Sequence, residues 1–184
     1  IIDSEDVTHI SRVLRLEKGD NVTVCDGQGT DYDAQIDTIE PKKILLNIVS
    51  RQKSETEPNI KVTLFQALPK ASKMEYIIQK TTELGISEIV PVKLSRCVVK
   101  IDNKKDEKKK IDRWQKIAES AAKQSGRGYV PEVTNFISFE ECLGELKECD
   151  ESFMCYEKGG VSLSKTGIAP VSEGEEKTIG LFIG

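Results

Sequence analysis

The 184-residue sequence lacks the short motifs that mark several common enzyme classes. It contains no G-x-G-x-x-G, no G-x-x-x-x-G-K-[ST] and no H-E-x-x-H segment, so the usual signals for dinucleotide binding, phosphate cradling and zinc hydrolysis are missing. Gly27-Gln28-Gly29 resembles a glycine fingerprint only in its spacing. It joins two predicted strands and opens no helix, so a hairpin turn explains it better.

Metal-ligating side chains are equally scarce. His9 is the only histidine, and the five cysteines are an odd number without a C-x-x-C pair. This usage favours free thiols in a reducing cytoplasm over a disulfide framework or a zinc site. We therefore expect a cytoplasmic protein without a metal cofactor, in which His9 is a surface residue of a helix rather than a general base.

Long apolar runs are absent too, since none approaches the roughly 20 residues that a membrane span needs. We therefore expect no membrane partner. The sequence starts without Met and without the basic-then-apolar layout of a signal peptide. Its last residues, Thr-Ile-Gly-Leu-Phe-Ile-Gly, have the composition of a buried strand. From these two features we expect the sequence to be truncated at both ends.

Charge is distributed unevenly along the chain. The net charge is −4, yet residues 93–127 hold 12 basic against 5 acidic side chains, and residues 132–176 hold 3 against 11. This asymmetry predicts a basic face beside an acidic segment, and a polyanion would bind the basic face. Lysine clusters also serve solubility, so charge alone does not decide between the two roles.

The first third of the chain predicts a small β-rich domain. Residues 4–14 have the spacing of a short helix with Val7, Ile10 and Leu14 on one face. Three strands then follow at 21–25, 31–39 and 43–50, separated by glycine-containing turns, which indicates a small barrel or sandwich. The polar run that follows predicts a linker. We place the domains at 1–52 and 60–184, with a linker at 53–59.

From residue 60 the pattern changes to alternating strands and helices. We expect strands at 62–67, 88–92, 152–156 and 178–183, and helices at 72–84, 106–124 and 138–146. This order predicts a parallel sheet with helices on its faces. Ligands in such sheets bind outside the carboxyl ends of the strands. The first helix would bury an apolar stripe and carry polar residues on its opposite side, as an ordinary crossover helix does. The stripe consists of Met74, Ile77, Ile78, Thr81 and Leu84.

Two groups of side chains suit phosphate binding. Arg96 and Lys100 follow the strand at 88–92, and Arg127 closes the segment Gln124-Ser125-Gly126-Arg127 at the end of the long helix. Guanidinium groups at such ends can bind phosphate in a bidentate manner. Alternatively, Gln124 and Gly126 simply end the helix. The residue types leave both interpretations open.

Six groups of residues, in chain order, together match one known family. They are His9-Ile10-x-x-Val13-Leu14-Arg15 with Gly19-Asp20; Asp26-Gly27 with Tyr32; Lys70-x-x-Lys73-Met74-Glu75-x-x-Ile78-Gln79-Lys80-x-x-Glu83-Leu84-Gly85; Arg96-Cys97-Val98-Val99-Lys100; Arg113-Trp114-x-x-Ile117-Ala118; and Ala121-Ala122-x-Gln124-Ser125-Gly126-Arg127-x-x-x-Pro131. The pattern resembles that of the bacterial 16S ribosomal RNA (uracil N3)-methyltransferases, members of the SPOUT class. The resemblance covers essentially the whole chain.

The resemblance implies an α+β protein of two domains. A small PUA-like β-barrel that binds RNA would precede an α/β SPOUT methyltransferase domain of the trefoil-knot class. The enzyme would be a homodimer that uses S-adenosyl-L-methionine to methylate N3 of one uridine in 16S ribosomal RNA or in the assembled small subunit. The knot segment of the family follows the position of Gly184, so the resemblance predicts that the chain as given is inactive.

The resemblance also implies roles for individual residues. The remaining cofactor-binding positions would be Tyr156, Glu157, Ile183 and Gly184. Arg12 and Arg127 are catalytic candidates, and no general base is assigned. The implied RNA-binding residues are Arg12, Arg15, Lys70, Lys73, Arg96, Lys100 and Arg127. Two alternatives stay open, a non-catalytic RNA-binding module and a SPOUT methyltransferase that acts on another RNA.

Overall fold

The computed structural model describes residues 1–3, 6–70, 73–95, 103–162, 165–166 and 175–184. Contacts between residues divide the chain into two units, Ile1–Thr56 and Glu57–Gly184. In the described part of the chain, no helix is long and apolar enough to cross a membrane.

The first unit is built on an antiparallel sheet. A short helix, α1 (Asp6–Thr8), continues into a π-helix (His9–Val13), and three strands follow: β1 (Asn21–Cys25), β2 (Thr30–Ile39) and β3 (Ile44–Lys53). β2 pairs with both neighbours. Its core contains Ile36 and Ile44, which face inward because side chains alternate along a strand, and Val7 of α1, which packs against them.

One expectation for this unit needs correction. Within the described residues the three strands form a sheet in the order β1-β2-β3, and Ile2 forms an antiparallel bridge to Ile44 at the start of β3. The helix expected at 4–14 becomes a π-helix, in which the amide of Leu14 donates to the carbonyl of His9 at 2.9 Å. The wider turn rotates Leu14 out to solvent, and Leu16 packs against the core instead.

The second unit is built on a parallel sheet. Its strands lie in the order β6-β5-β4-β9-β8, with β7 also paired to β5. The elements in chain order are β4 (Ile60–Ala67), α2 (Lys73–Glu83), β5 (Glu88–Lys93), α3 (Lys104–Ser125), β6 (Glu132–Val133), β7 (Ile137–Ser138), α4 (Phe139–Glu148), β8 (Glu151–Cys155) and β9 (Lys177–Ile183). The predicted parallel sheet is confirmed, while the two-residue strands β6 and β7 are too short to show a period and escaped prediction.

Helices cover both faces of this sheet, which explains the apolar runs in its strands. Leu64 and Ile89 face a core shared with α2 and α3, which contains Trp114. Their neighbours Phe65 and Val90 face the other core, shared with α4. Successive strand residues point to opposite faces, so each strand serves two cores.

The helix ends follow ordinary capping rules. Gly85, two residues after α2, and Gly126, directly after α3, adopt left-handed φ angles of 100° and 67°, as glycine does at helix C-termini. Ser138 and Glu141 form a capping box at the start of α4. The stripe expected on α2 is wrong at its last position: Leu84 is 85% exposed, because α2 ends at Glu83 and Thr82 is buried instead. Ser72, where we expected this helix to begin, lies outside the described residues.

Gly180 sets how closely α4 approaches β9. A Cβ atom at this position would lie 2.6 Å from Cδ2 of Leu146, closer than real Cβ contacts, and 3.0 Å from the sulfur of Cys149, tighter than most of them. Gly144 on α4 is the opposite case, since a Cβ there would meet nothing within 4 Å. The two glycines therefore serve as a test and its matched control.

We expect Gly180→Ala to destabilise the second unit by about 1–3 kcal/mol, because the added methyl group overpacks a close contact. Gly144→Ala should instead stabilise it by roughly 0.5–1 kcal/mol, since glycine is costly inside an exposed helix. Urea denaturation followed by the fluorescence of Trp114, the only tryptophan, measures both. Equal effects of the two variants would contradict this account of Gly180.

Candidate functional site at the carboxyl edge of the sheet

The carboxyl ends of four neighbouring strands lie side by side in the second unit. Cys155 at the end of β8 is in register with Ile183 of β9, Ile183 with Gln66 of β4, and Gln66 with Pro91 of β5. The chain leaves β4 toward β5 on one side, whereas β9 enters the sheet on the other side. Such a reversal of strand order opens a crevice where ligands bind in α/β sheets. This edge is the candidate site.

Gln66 joins the two central strands at this edge. Its side-chain amide nitrogen donates to the carbonyl of Ala67 at 2.9 Å and to the carbonyl of Ile183 at 3.3 Å. The residue is 4% exposed, so these bonds satisfy a buried polar group. Sequence reasoning missed Gln66, although a lone amide within the apolar strand Ile60–Ala67 was a usable signal.

The structure brings the four expected cofactor-binding residues together. Tyr156 and Glu157 directly follow β8, and both are exposed, Tyr156 by 68%. Ile183 is half-buried in the neighbouring strand, and Gly184 follows it. Because Cys155 and Ile183 are in register, the two pairs lie at adjacent strand ends. Their role in cofactor binding stays a prediction.

The expected RNA-binding cations lie in both units. Lys70 and Lys73 are exposed between the carboxyl end of β4 and the first turn of α2, so they lie beside the candidate site. Arg12 and Arg15 are exposed in the first unit, where Arg15 adopts a positive φ of 55°. Arg96 and Lys100 lie outside the described residues.

Lys93 at the end of β5 is engaged by the protein. Its ammonium group lies 2.5 Å from a carboxylate oxygen of Glu107 in the first turn of α3. The same group lies 5.3 Å from the ring centre of Phe136, within the range of a cation–π contact. Lys93 therefore fixes the start of α3 against the carboxyl edge of the sheet.

Arg127 is placed away from this site. Its side chain is 4% exposed, and one guanidinium nitrogen donates to the carbonyls of Thr82 at 3.2 Å and Ile86 at 2.6 Å. The other terminal nitrogen pairs with Glu57 at 2.5 Å. Glu57 precedes β4 and Ile86 precedes β5, so the cluster lies at the amino ends of the strands, opposite the candidate site.

This placement disagrees with the expectation that Arg127 is a catalytic or RNA-binding residue. Protein groups occupy both terminal nitrogens of the guanidinium, and the remaining nitrogen, Nε, is buried and therefore out of reach of a phosphate. Glu57 is fully used as well, because its second oxygen accepts the amide of Tyr129 at 2.9 Å. The arrangement instead resembles a helix cap, in which a cation binds a carbonyl in the last turn of α2, that of Thr82, and the carbonyl of Ile86 in the following turn.

Other residues of the family pattern also have structural partners. Glu75 on α2 accepts from Arg113 on α3 through both carboxylate oxygens, at 2.8 and 2.9 Å. Lys80 pairs with Glu83 on the same helix at 2.7 Å. These pairs link the two helices and stabilise α2, so they do not by themselves point to a ligand.

The buried thiol of Cys142 on α4 is not a candidate nucleophile. Burial raises the pKa of the Cys142 thiol to about 11, so this group stays protonated at neutral pH and is a poor nucleophile. Among the described residues, no three histidine, cysteine or acidic side chains are grouped as metal ligands.

Comparison with known proteins identifies both units. Residues 56–184 match the family model of the RNA methyltransferase domain, and residues 2–49 match the RNA methyltransferase PUA domain. The expected combination of a PUA-like domain with an α/β methyltransferase fold is thereby confirmed.

Curated relatives include two proteins named ribosomal RNA small subunit methyltransferase E. The one from Bacillus subtilis is 38% identical over 157 residues, which are 85% of this chain and 61% of the relative. The one from Synechocystis is 39% identical over 139 residues, which are 75% of this chain and 43% of the relative. The chain therefore spans less than two thirds of either relative.

Solved structures agree with the sequence comparisons. A methyltransferase of Legionella pneumophila in complex with the cofactor SAM is 28% identical, with a TM-score of 0.80 over 98% of this chain and 71% of that one. The ribosomal RNA small subunit methyltransferase E of Neisseria gonorrhoeae, bound to S-adenosyl methionine, is 26% identical, with a TM-score of 0.76 over 98% and 73%.

We expect Gln66→Leu to destabilise the second unit by about 1–3 kcal/mol, because two carbonyls lose a buried donor. Hydrogen exchange at the end of β9 should accelerate more than exchange elsewhere in the sheet. Gln124→Leu is the control, since Gln124 is exposed at the end of α3 and should change stability by less than about 0.5 kcal/mol. Uniform acceleration across the sheet would argue against a local role for Gln66.

We expect Arg127→Met to cost about 3–5 kcal/mol in urea denaturation, because it leaves the Glu57 carboxylate without its buried partner. Arg113→Met removes an exposed cation from the pair with Glu75 and should cost at most about 1 kcal/mol. If Arg127→Met is as stable as Arg113→Met but loses RNA affinity, Arg127 contacts RNA after all.

Proposed function

This chain belongs to the RNA methyltransferase family, and we propose that it transfers a methyl group from S-adenosyl-L-methionine to N3 of a uridine in 16S ribosomal RNA. The observation that carries the proposal is the carboxyl edge, where Tyr156 and Glu157 lie beside Ile183 and Gly184 at adjacent strand ends. The names of the curated relatives support small-subunit ribosomal RNA as the substrate.

The residues at this edge suit the chemistry of the cofactor. The exposed ring of Tyr156 can pack against an adenine base, and the carboxylate of Glu157 can accept hydrogen bonds from ribose hydroxyls. Gly184 adds no side chain to the crevice, and the backbone of Ile183 is held in place by Gln66. When bound, the cofactor supplies an electrophilic methyl group.

The exposed cations suit the substrate. Lys70 and Lys73 lie beside the carboxyl edge, where they can bind the phosphates that flank a target base. That base must be unstacked or single-stranded for its ring nitrogen to reach the site. Loss of the N3 proton leaves negative charge on the uracil ring, and a nearby cation stabilises it. In the first unit, Arg12 and Arg15 are the corresponding candidates for RNA contacts.

The finer properties implied by the family are part of the same proposal. They are the trefoil-knot topology, a cytoplasmic location and a homodimer. Exposed apolar side chains in and after β8 give the homodimer some support, since Met154, Tyr156 and Val161 are each more than half exposed.

We expect the full-length protein to incorporate labelled methyl groups from S-adenosyl-L-methionine into 16S ribosomal RNA or the small subunit. Mass spectrometry of the digested RNA should identify 3-methyluridine. Absence of methyl incorporation into either substrate would leave a non-catalytic RNA-binding module as the explanation. Another methylated nucleoside, or methylation of another RNA alone, would contradict the proposed specificity.

Tyr156→Ala tests the cofactor site within the same proposal. Loss of base stacking costs about 1–3 kcal/mol, so we expect calorimetry to show binding of S-adenosyl-L-methionine weakened by about tenfold or more. Tyr76→Ala is the matched control, because Tyr76 on α2 is 64% exposed and lies outside the candidate site. Unchanged affinity in Tyr156→Ala would remove Tyr156 from the cofactor site.

A further inference from the structure

The outer face of α3 carries a stripe of lysines. Lys105, Lys109, Lys116 and Lys123 are all exposed, and at 100° per residue they fall within about 40° of one another around the helix. Trp114 and Ala118, which are buried against the sheet, lie on the opposite side. At 1.5 Å per residue the stripe is about 27 Å long.

The stripe begins at the candidate site. Lys105 lies in the first turn of α3, which Lys93 holds against the carboxyl edge through Glu107. Lys123 lies in the last turn, toward the amino edge. The stripe therefore leads from the mouth of the site along the outside of the second unit.

Ion pairing within the protein does not account for the stripe. Lys105, Lys109 and Lys116 form no ion pair with any residue that the structure describes, whereas Glu107 and Arg113 on the same helix do. Asp112 and Glu119 flank the stripe on one side only. The chain as a whole carries a net charge of −4, so general basicity does not explain these lysines either.

Helix stability accounts for part of the stripe, because Asp112 and Glu119 lie four residues before Lys116 and Lys123, but it does not account for Lys105 and Lys109. Lys105 stands near the positive end of the helix dipole, and Lys105 and Lys109 form a like-charge pair four residues apart. Both features destabilise a helix, and Asn103 as N-cap with Asp106 and Glu107 in the first turn offsets them. Residues that oppose local stability are expected where they serve a ligand.

We propose that this stripe is a track for the phosphate backbone of RNA that enters the carboxyl-edge site. The identity of the ligand as RNA rests on the proposed function. Lysines bind phosphates as point charges, so the track positions RNA without reading its sequence. With one phosphate per roughly 3.4 Å of a helical strand, 27 Å is about the length of eight nucleotides.

The test is the salt dependence of RNA affinity in the triple variant Lys105→Gln, Lys109→Gln, Lys116→Gln. With about 0.7 counterions released per contact, the slope of log K against log salt should fall by about 2, and affinity at 0.1 M salt by up to about a hundredfold. Fluorescence anisotropy with two labelled 20-nucleotide RNAs of unrelated sequence measures both. The loss should be the same for the two RNAs, since backbone contacts carry no sequence information.

Two further variants make the result specific. Lys61→Gln, Lys147→Gln, Lys165→Gln removes the same charge from β4, α4 and a loop, and its affinity should fall only a fewfold. Replacing the three stripe lysines by arginine should restore the slope. The thermal midpoint of the stripe variant should equal or exceed that of the wild type, because a like-charge pair is removed.

If the two glutamine variants lose RNA affinity equally, or if neither loses RNA affinity, the stripe is not a phosphate track. With RNA affinity unchanged, an acidic protein partner would become the better explanation of the stripe. If the triple stripe variant binds RNA with the same salt slope as the wild type, the track is wrong and the proposed function is unaffected. If its salt slope is reduced but the full-length protein transfers no methyl group, the proposed function is wrong and the track is unaffected.

Discussion

The buried guanidinium of Arg127 is the interaction on which the second unit depends. It holds the last carbonyls of α2, the turn into β5 and the entry to β4 through Thr82, Ile86 and Glu57. Without these contacts, the buried charge of Arg127 and the Glu57 carboxylate would lose their ion-pair partners, and the carbonyl of Ile86 would lose a donor at 2.6 Å, which is costly in a buried site. All of them lie at the amino ends of the strands, so this edge of the sheet is closed by direct contacts.

Closing the amino edge leaves the carboxyl edge for ligands. At this edge two side chains join neighbouring elements among the described residues. Gln66 ties β4 to β9, and Lys93 ties β5 to the start of α3. Around these two ties lie the ends of four strands, with exposed side chains such as Tyr156 and Lys70. A site that is rigid at its base and open at its mouth can hold a cofactor and still admit a large RNA.

The sequence predicted the elements well where a period was long enough to read. The parallel sheet and the long helix α3 followed from the sequence pattern alone, and the family pattern added the PUA-like unit. Local spacing could not show that Arg127 meets Glu57, because 70 residues separate them. Local spacing also could not show that Leu84 is exposed, because its exposure depends on where the helix ends before Gly85. The residue types near the site could be identified from the sequence. Which strand ends become neighbours could not, because the fold decides it.

The same fold explains how an acidic chain can offer a basic surface. The stripe lies on α3, whereas the acidic residues Glu140, Glu145 and Glu148 lie on α4, across the sheet. Layers of such a domain are about 10 Å apart, so the two charge sets are separated by roughly 20 Å. At 0.1 M salt the Debye length is about 10 Å, and charges on opposite faces are largely screened from one another. A polyanion on the α3 face is therefore attracted by the lysines of the stripe, which outnumber the flanking Asp112 and Glu119, and hardly repelled by the distant carboxylates of α4.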